Sequence, residues 1–201
     1  PASSLTLLGQ AQVTDGDSLR IGQERIRLYG IDAPELHQRC DVSGRNWACG
    51  QWAAEKLAQI VAQGVLRCEA VEQDRYGRTV ARCTVAGRDV SAMMVQAGAA
   101  MAFIRYSTDY LAQERAAKAE ARGLWSGAMI APEVFRKIAK RGTPQPQGCA
   151  IKGNISAKGA QIYHMPGQRH YAETQISNAK GEAFFCSEAD ARAAGFRAAK
   201  R

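Results

Sequence analysis

The sequence predicts an α+β, mainly β chain: five short strands and three helices, followed by a small disulfide-stapled C-terminal domain. Three observations point there. Short runs that alternate apolar with polar residues recur between turn residues over the first 85 positions. Stretches with apolar residues at helical spacing are each closed by a glycine. Six cysteines, an even number, fall where pairing would close a hairpin, a polar loop and the tail.

Residues 5–13 and 18–21 alternate imperfectly and are separated by Thr14-Asp15-Gly16-Asp17, and residues 25–31 follow the turn at Gly22, so these three read as a meander. Ala33-Pro34 ends the third strand, and a polar loop over 35–48 leads into a helix over 51–61, with Trp52, Leu57, Ile60 and Val61 on one face and Gly64 after it. Residues 65–71 and 78–85 are two more strands. A second helix covers 90–96, a short extended piece 101–104, and a third helix 109–122, with Asp109 as its N-cap and Gly123 after its end. Two prolines and no large apolar side chain make 142–148 a linker, so the expected organisation is a domain over 1–141, that linker, and a domain over 149–201. The last holds Tyr163, Tyr171, Phe184, Phe185 and Phe196 and a final helix over 187–194, capped by Ser187 with Asp190 three positions on.

A hydrophobic fraction of 46% and a charged fraction of 23% over 201 residues are those of a folded protein, which excludes a disordered or collagen-like chain. The most apolar neighbourhood, 90–104, is interrupted by Ser91, Gln96 and Gly98 and is too short to span a bilayer. The formal charge of +8 favours polyanionic partners such as nucleic acid. It divides evenly at the linker: residues 1–142 carry 19 basic and 15 acidic groups, and residues 143–201 carry 8 and 4.

Six cysteines without a CxxC or a zinc-finger spacing leave two explanations, disulfides in an oxidising compartment or buried thiols. Asp74-Arg75-Tyr76-Gly77 reads as a tight turn, and a simple hairpin closed there pairs residues whose numbers sum to 151, as Cys68 and Cys83 do, unless a longer loop or a bulge alters the register. Cys40 and Cys49 bracket an otherwise loose polar loop, and by elimination Cys149 pairs with Cys186. Pro1 in place of Met, with no charged segment leading into an apolar one, reads as a mature or trimmed chain, and export is inferred from the cysteines.

Polar groups concentrate where apolar strands end: Asp15-Gly16-Asp17, Arg25-Ile26-Arg27, Asp32-Ala33-Pro34-Glu35, Asp74-Arg75-Tyr76-Gly77-Arg78, and Tyr106. Asp17 and Asp32 with a main-chain carbonyl are the oxygen donors a hard divalent ion takes. Arg27 and Arg78 are forks for phosphate, and Glu35 can orient or deprotonate water. Singly, each has a structural explanation as a turn former, strand terminator or surface charge. Together they suit cleavage of a phosphodiester, with cationic groups neutralising a pentacovalent phosphorane while a carboxylate activates the nucleophile.

With Gly123-Leu124-Trp125 added, these ordered runs resemble the staphylococcal (thermo)nuclease family, over about residues 5–141. The resemblance implies a five-stranded OB-fold Greek-key barrel with three helices, and Ca²⁺-dependent cleavage of DNA and RNA at the 5′ side of the phosphodiester. It assigns Ca²⁺ to Asp17, Asp32 and the carbonyl of Ala33, and catalysis to Arg27, Glu35 and Arg78. It implies substrate contacts from Tyr76, together with Arg75, Phe103 and Tyr106. Ala33 stands where the family usually has Thr, which a carbonyl ligand tolerates. Phe103 stands where a nucleotide-contacting tyrosine is usual, so stacking survives and any hydroxyl contact falls to Tyr106. The inserted loop with Cys40 and Cys49, and the Cys68 and Cys83 pair, are similar to the exported bacterial branch. The tail resembles a small module often appended to bacterial nucleases of this type.

The expected function is therefore a secreted or periplasmic, monomeric Ca²⁺-dependent nuclease with little sequence preference and DNA and RNA as substrates. A noncatalytic OB-fold nucleic-acid-binding protein is the alternative, and an envelope structural or interaction protein using the tail a third. A carboxylate cluster facing a polyanion argues against the binding protein. In the tail, basic and aromatic residues interleave, which fits either a DNA-binding accessory or a stapled add-on packing its aromatics inward.

Overall fold

The computed structural model describes residues 5–200, so Pro1 lies outside them. The chain folds as two compact units that divide between Pro132 and Glu133.

The first unit opens with β1 (Thr6–Gly9) and β2 (Ala11–Val13), then β3 (Ser18–Ile21), β4 (Glu24–Leu28) and the two-residue β5 (Ile31–Asp32). The expected first strand, 5–13, is interrupted at Gln10, and its halves serve opposite edges of one sheet. β1 pairs antiparallel with β8 (Leu66–Gln73), and β2 pairs antiparallel with β3. Since β3 pairs with β4, β4 runs parallel to β9 (Thr79–Val85), and β9 pairs back to β8, the sheet closes into a barrel. Counting β1 and β2 as one strand, this is the five-stranded Greek-key barrel of the OB type, which leaves few free edges to manage. Leu19, Ile26, Leu28, Leu66, Cys68, Ala81, Cys83 and Val85 fill it.

The expected third strand is also broken. Gly30, with φ +72°, turns the chain at Tyr29-Gly30, and a Cβ there would fall 2.8 Å from the Tyr110 ring. The turn sends Ile31–Asp32 away from β4 to pair with β11 (Met101–Ala102), Asp32 opposite Met101.

The loop over 35–48 is not loose. It holds a hairpin of β6 (Cys40–Val42) and β7 (Arg45–Trp47), bridged to the chain by Asp41 and Ala128 and stapled by Cys40–Cys49. Cys40, Cys49 and Leu124 form a small core there with Trp47 and Met129. α1 (Cys49–Val61) and α2 (Val90–Gln96) cover the barrel with Leu57, Ile60, Met94 and Val95, and the short β10 (Arg88–Asp89) precedes α2. Asp89 caps α2 by accepting from the Ala92 N–H. α3 is Leu111–Ala119 and takes Tyr110 as its N-cap; Asp109 does not cap it, because its carboxylate is drawn to Arg82 at 2.6 Å.

The pairing of Cys68 with Cys83 is present, by a different route from the simple hairpin. The turn is one residue longer than Asp74 to Gly77, so Gln73 pairs with Thr79 and Glu72 with Val80; a bulge at Val71 then restores the register, and Cys68 faces Cys83. The other two disulfides also form, Cys40–Cys49 and Cys149–Cys186.

The second unit begins with α4 (Pro132–Arg141), nine residues before the expected boundary at 141. The segment 142–148 has no regular element, but Thr143 belongs to this unit: its N–H donates to the Ile176 carbonyl and its Oγ1 accepts from the Asn178 N–H. A four-stranded sheet follows, of β12 (Ile151–Ile155), β13 (Gln161–His164), β14 (Ala183–Phe185) and β15 (Arg197–Ala198) in the order β14-β12-β13-β15. α5 (Glu188–Ala193) is capped by Ser187, whose hydroxyl accepts from the Asp190 N–H. Ile151, Tyr163, Ala191 and Phe196 form the core. Among the described residues no helix is long and apolar enough to cross a membrane.

Both sulfurs of Cys68–Cys83 lie inside the barrel, and the loop they close spans 15 residues. The double variant Cys68→Ala/Cys83→Ala is expected to lose about 3 kcal/mol of stability. Urea unfolding of the two proteins under one redox condition measures the difference.

Candidate active site

Alternation along β4 buries Ile26 and Leu28 and turns Arg25 and Arg27 outward. Arg27 pairs with Ser18, the first residue of β3, so its guanidinium reaches the turn before that strand. The turn is held by Thr14 and Asp15 N–H groups donating to the Ser18 carbonyl, and by the Asp17 N–H donating to Asp15 Oδ1 at 3.0 Å. It buries Asp17 to 4% exposure, where Oδ1 accepts from the Ser18 hydroxyl at 2.8 Å and Oδ2 from the Ala33 N–H at 3.4 Å. The Gly30 turn brings Asp32, also 4% exposed, to the same place.

One nitrogen of Arg27 lies 3.0 Å from both Asp17 Oδ2 and Asp32 Oδ1. The two buried carboxylates therefore converge on one point. Arg78, at the end of the β8–β9 loop, donates from Nη1 to Ser18 Oγ at 3.3 Å and is braced by Asp74 at 2.7 Å. Asp74 organises that whole loop, since its Oδ1 also accepts the N–H groups of Tyr76 and Arg78.

Glu35 comes from the segment after Asp32. Its backbone is clamped by Gln38, which is fully buried: the Glu35 N–H donates to Gln38 Oε1 at 3.3 Å, the Gln38 N–H returns to the Glu35 carbonyl at 2.7 Å, and Gln38 Nε2 donates to the Ile130 carbonyl at 2.6 Å. The start of α1 presses on this segment so closely that a Cβ on Gly50 would overlap the Glu35 carbonyl at 1.8 Å. The Gly50 N–H donates to the Gln38 carbonyl, and the Cys40–Cys49 staple lies next in the chain on both sides.

The charge in this pocket is unbalanced. Burial pushes the Asp15 carboxyl up to about 7, and the charges of Asp17 and Glu35 push the same way against hydrogen bonds from Asp17 and Ser18. The raised Asp15 carboxyl, with the buried Asp17 and Asp32 carboxylates converging beside it, fits a cation supplied from solution. Among the described residues no three His, Cys, Asp or Glu side chains form a metal-holding group by themselves.

The expected substrate contacts lie on two loops. Tyr76 is 54% exposed on the β8–β9 loop, with the Arg75 and Arg78 guanidinium carbons 4.9 and 5.7 Å from its ring centre and its carbonyl accepting from Arg25 Nη2 at 2.7 Å. Phe103 and the 57% exposed Tyr106 stack with centres 5.1 Å apart just after β11, the strand paired to the one bearing Asp32. The structure thus brings Asp17, Asp32, Arg27 and Arg78 into one bonded cluster and sets Glu35 against Asp15. Tyr76 and Arg75 share the Arg78 loop, and the Phe103–Tyr106 pair sits just after the strand that pairs with the Asp32 strand.

Sequence reasoning assigned no role to Gln38, Ser18 or Asp74. Ser18 and Asp74 sit inside the motifs already singled out; Gln38, a polar residue in a polar loop, carries no local sign that it will be buried.

A closed OB-type barrel with a carboxylate and guanidinium cluster beside its strand ends is the class of protein defined by this geometry. The model of the family described as "Staphylococcal nuclease homologue" matches residues 25–127, about half the chain, and a second model, described as ArfC, matches residues 136–198. The succinoglycan biosynthesis protein ExoI of Rhizobium meliloti (strain 1021) is 38% identical over 126 residues, which span 59% of this chain and 64% of that protein. An uncharacterized endonuclease of Escherichia coli O157:H7 is 33% identical over 133 residues, 62% of this chain and 81% of its own length. The micrococcal nuclease of Shigella flexneri is 31% identical over 150 residues, 66% and 81%. The chain belongs to the staphylococcal nuclease homologue family.

Two outcomes follow from the bracing groups. Gln38→Leu orphans the Glu35 N–H and the Ile130 carbonyl and is expected to cost about 1–3 kcal/mol per buried group in urea unfolding, with Gln38→Glu, which keeps the acceptor, falling between it and the wild type. Burial raises the Asp74 carboxyl, but the Arg78 N–H, the Arg78 guanidinium and the Tyr76 N–H outweigh it, so its pKa is lowered in the folded protein. The stability it contributes is therefore present above the ordinary value of 3.8 and disappears as pH falls through the lowered folded value. Asp74→Asn is expected to be less stable than wild type at neutral pH, with thermal melts converging at acid pH.

Proposed function

We infer that this protein is a Ca²⁺-dependent nuclease that hydrolyses DNA and RNA at the 5′ P–O bond with little sequence preference, and that it works as a monomer after export, secreted or in the periplasm. The observation that carries the reading is the convergence of two buried carboxylates on one Arg27 nitrogen beside Arg78. Three disulfides support the compartment, since such bonds persist where the surroundings are oxidising.

Asp17, Asp32 and the carbonyl of Ala33 are the oxygens that would hold Ca²⁺, a larger ion more tolerant of an irregular oxygen set than Mg²⁺. When bound, the ion supplies positive charge to the phosphate oxygens. The chain's own groups do the rest. Arg27 and Arg78 donate to the non-bridging oxygens, whose negative charge grows as phosphorus becomes five-coordinate. Glu35 accepts a proton from the attacking water; the new P–O bond forms as the P–O5′ bond breaks, and the 5′ oxygen leaves with a proton from solvent. Tyr76, Arg75, Phe103 and Tyr106 offer the strand a charged and aromatic track without reading base edges, which suits low sequence preference.

Steady-state kinetics on a short oligonucleotide test this. Cleavage is expected to stop in excess chelator and to return with Ca²⁺ and not with Mg²⁺. Arg27→Ala is expected to lower kcat by roughly a hundredfold to a thousandfold, about 3–4 kcal/mol, with a small change in KM. Arg27→Lys is expected not to restore it, because a point charge cannot reproduce the fork. A folded Arg27→Ala protein with wild-type kcat would leave the noncatalytic binding protein as the better reading.

A further inference from the structure

The second unit carries most of the chain's charge. Residues 133–201 hold 12 Lys and Arg against five Asp and Glu, net +7, whereas residues 1–132 hold 15 against 14, net +1. The even division expected from the sequence counted the cations of α4 with the first domain. The acids of the second unit are largely committed: Glu182 is buried and accepts from the Ile155 and Ser177 N–H groups, and Glu188 is bound to Tyr163 and Arg192. Lys152, Lys158, Arg169, Lys180, Arg197 and Lys200 make no ion pair with another described residue.

The sheet of this unit has two different faces. One carries Ile151, Tyr163 and Phe185 and is covered by Ala191 of α5 and by Phe196. Side chains alternate along each strand, so the register puts Phe184 of β14, Lys152 and Asn154 of β12, Ile162 and His164 of β13 and Arg197 of β15 on the other. These side chains are half-buried, and Arg197 is exposed. Lys152 lies 4.3 Å over the Tyr171 ring, and His164 Nε2 pairs with Asn154 Oδ1 at 3.1 Å. Of the five aromatics in the tail, three pack inward, while Phe184 and Tyr171 accompany the cations on this second face.

We propose that this face binds a single strand of nucleic acid, with Lys152 and Arg197 on phosphates and Phe184 as a stacking platform. Charge complementarity selects the ligand: a surplus of seven positive charges with its acids largely committed elsewhere suits a polyanion, and an aromatic directly beside a cation, as Phe184 is opposite Lys152, suits unpaired bases. The same field acts on His164, whose pKa is lowered by burial first and then by His170 and Lys152. The proposal goes beyond the nuclease reading, because a strand held here needs no cleavage.

The test is fluorescence anisotropy of a labelled 20-nucleotide single strand with the full chain, in chelator, over a range of salt. Lys152→Ala/Arg197→Ala is expected to bind at least tenfold more weakly and to lower the slope of log K against log salt by about 1.4, near 0.7 per phosphate contact on a single strand. Arg197→Ala alone, at an exposed position, is expected to lower it by about half as much. Phe184→Leu is expected to lose affinity about fivefold or more with the slope unchanged, as for a lost stack. Circular dichroism melts establish folding, and cleavage of a chromogenic mononucleotide diester with Ca²⁺ is expected at the wild-type rate in every variant. Wild-type affinity and slope in the folded Arg197→Ala and Phe184→Leu proteins would overturn the proposal. A wild-type chain inert on the diester, with the binding losses intact, would refute the nuclease reading and leave this one standing.

Discussion

The first unit depends on the contact between Arg27 and the paired carboxylates of Asp17 and Asp32. Two buried ionised acids repel each other, and the guanidinium from the neighbouring strand offsets that repulsion here. This one interaction joins three chain segments: the turn before β3, the outward face of β4, and the short strand that Gly30 redirects. It also leaves two carboxylates facing a single guanidinium, an excess of negative charge at the place where the proposed metal ion would bind.

Everything else around the cluster holds its parts still. Asp74 fixes Arg78 by tying side chain and backbone of the same loop to one carboxylate. Gln38 does the equivalent for Glu35 from inside the protein, with the Cys40–Cys49 bond preventing the loop from opening away. The loose polar insertion expected here is instead a braced hairpin, which suits the role proposed for Glu35, a group that would meet a water at a fixed distance.

Charge divides unequally between the units. A nearly neutral barrel carries a compact cluster of both signs, while the second unit carries a surplus of cations, with Lys152 and Arg197 on one face of its sheet. The break at Pro132 has a local signal: a proline at a first helical position, Glu133 in the first turn, and Val134, Phe135 and Ile138 at helical spacing.

By itself the sequence indicated the strands, the three helices and the three cysteine pairs, since strand periodicity, turn residues and cysteine positions are local signals, and through its ordered motifs it pointed to the barrel and to the charged residues Arg27, Asp17, Asp32 and Arg78 that the structure brings together. Only the tertiary structure decided the breaks at Gln10 and Gly30, the compensating bulge at Val71, the loss of Asp109 as a cap to Arg82, and the place of α4 in the second unit. Each of these rests on a contact between residues far apart in the chain. The burial of Gln38 is the clearest instance: its partners are two short-range backbone groups of Glu35 and one carbonyl ninety-two residues away, and no local pattern encodes that third partner.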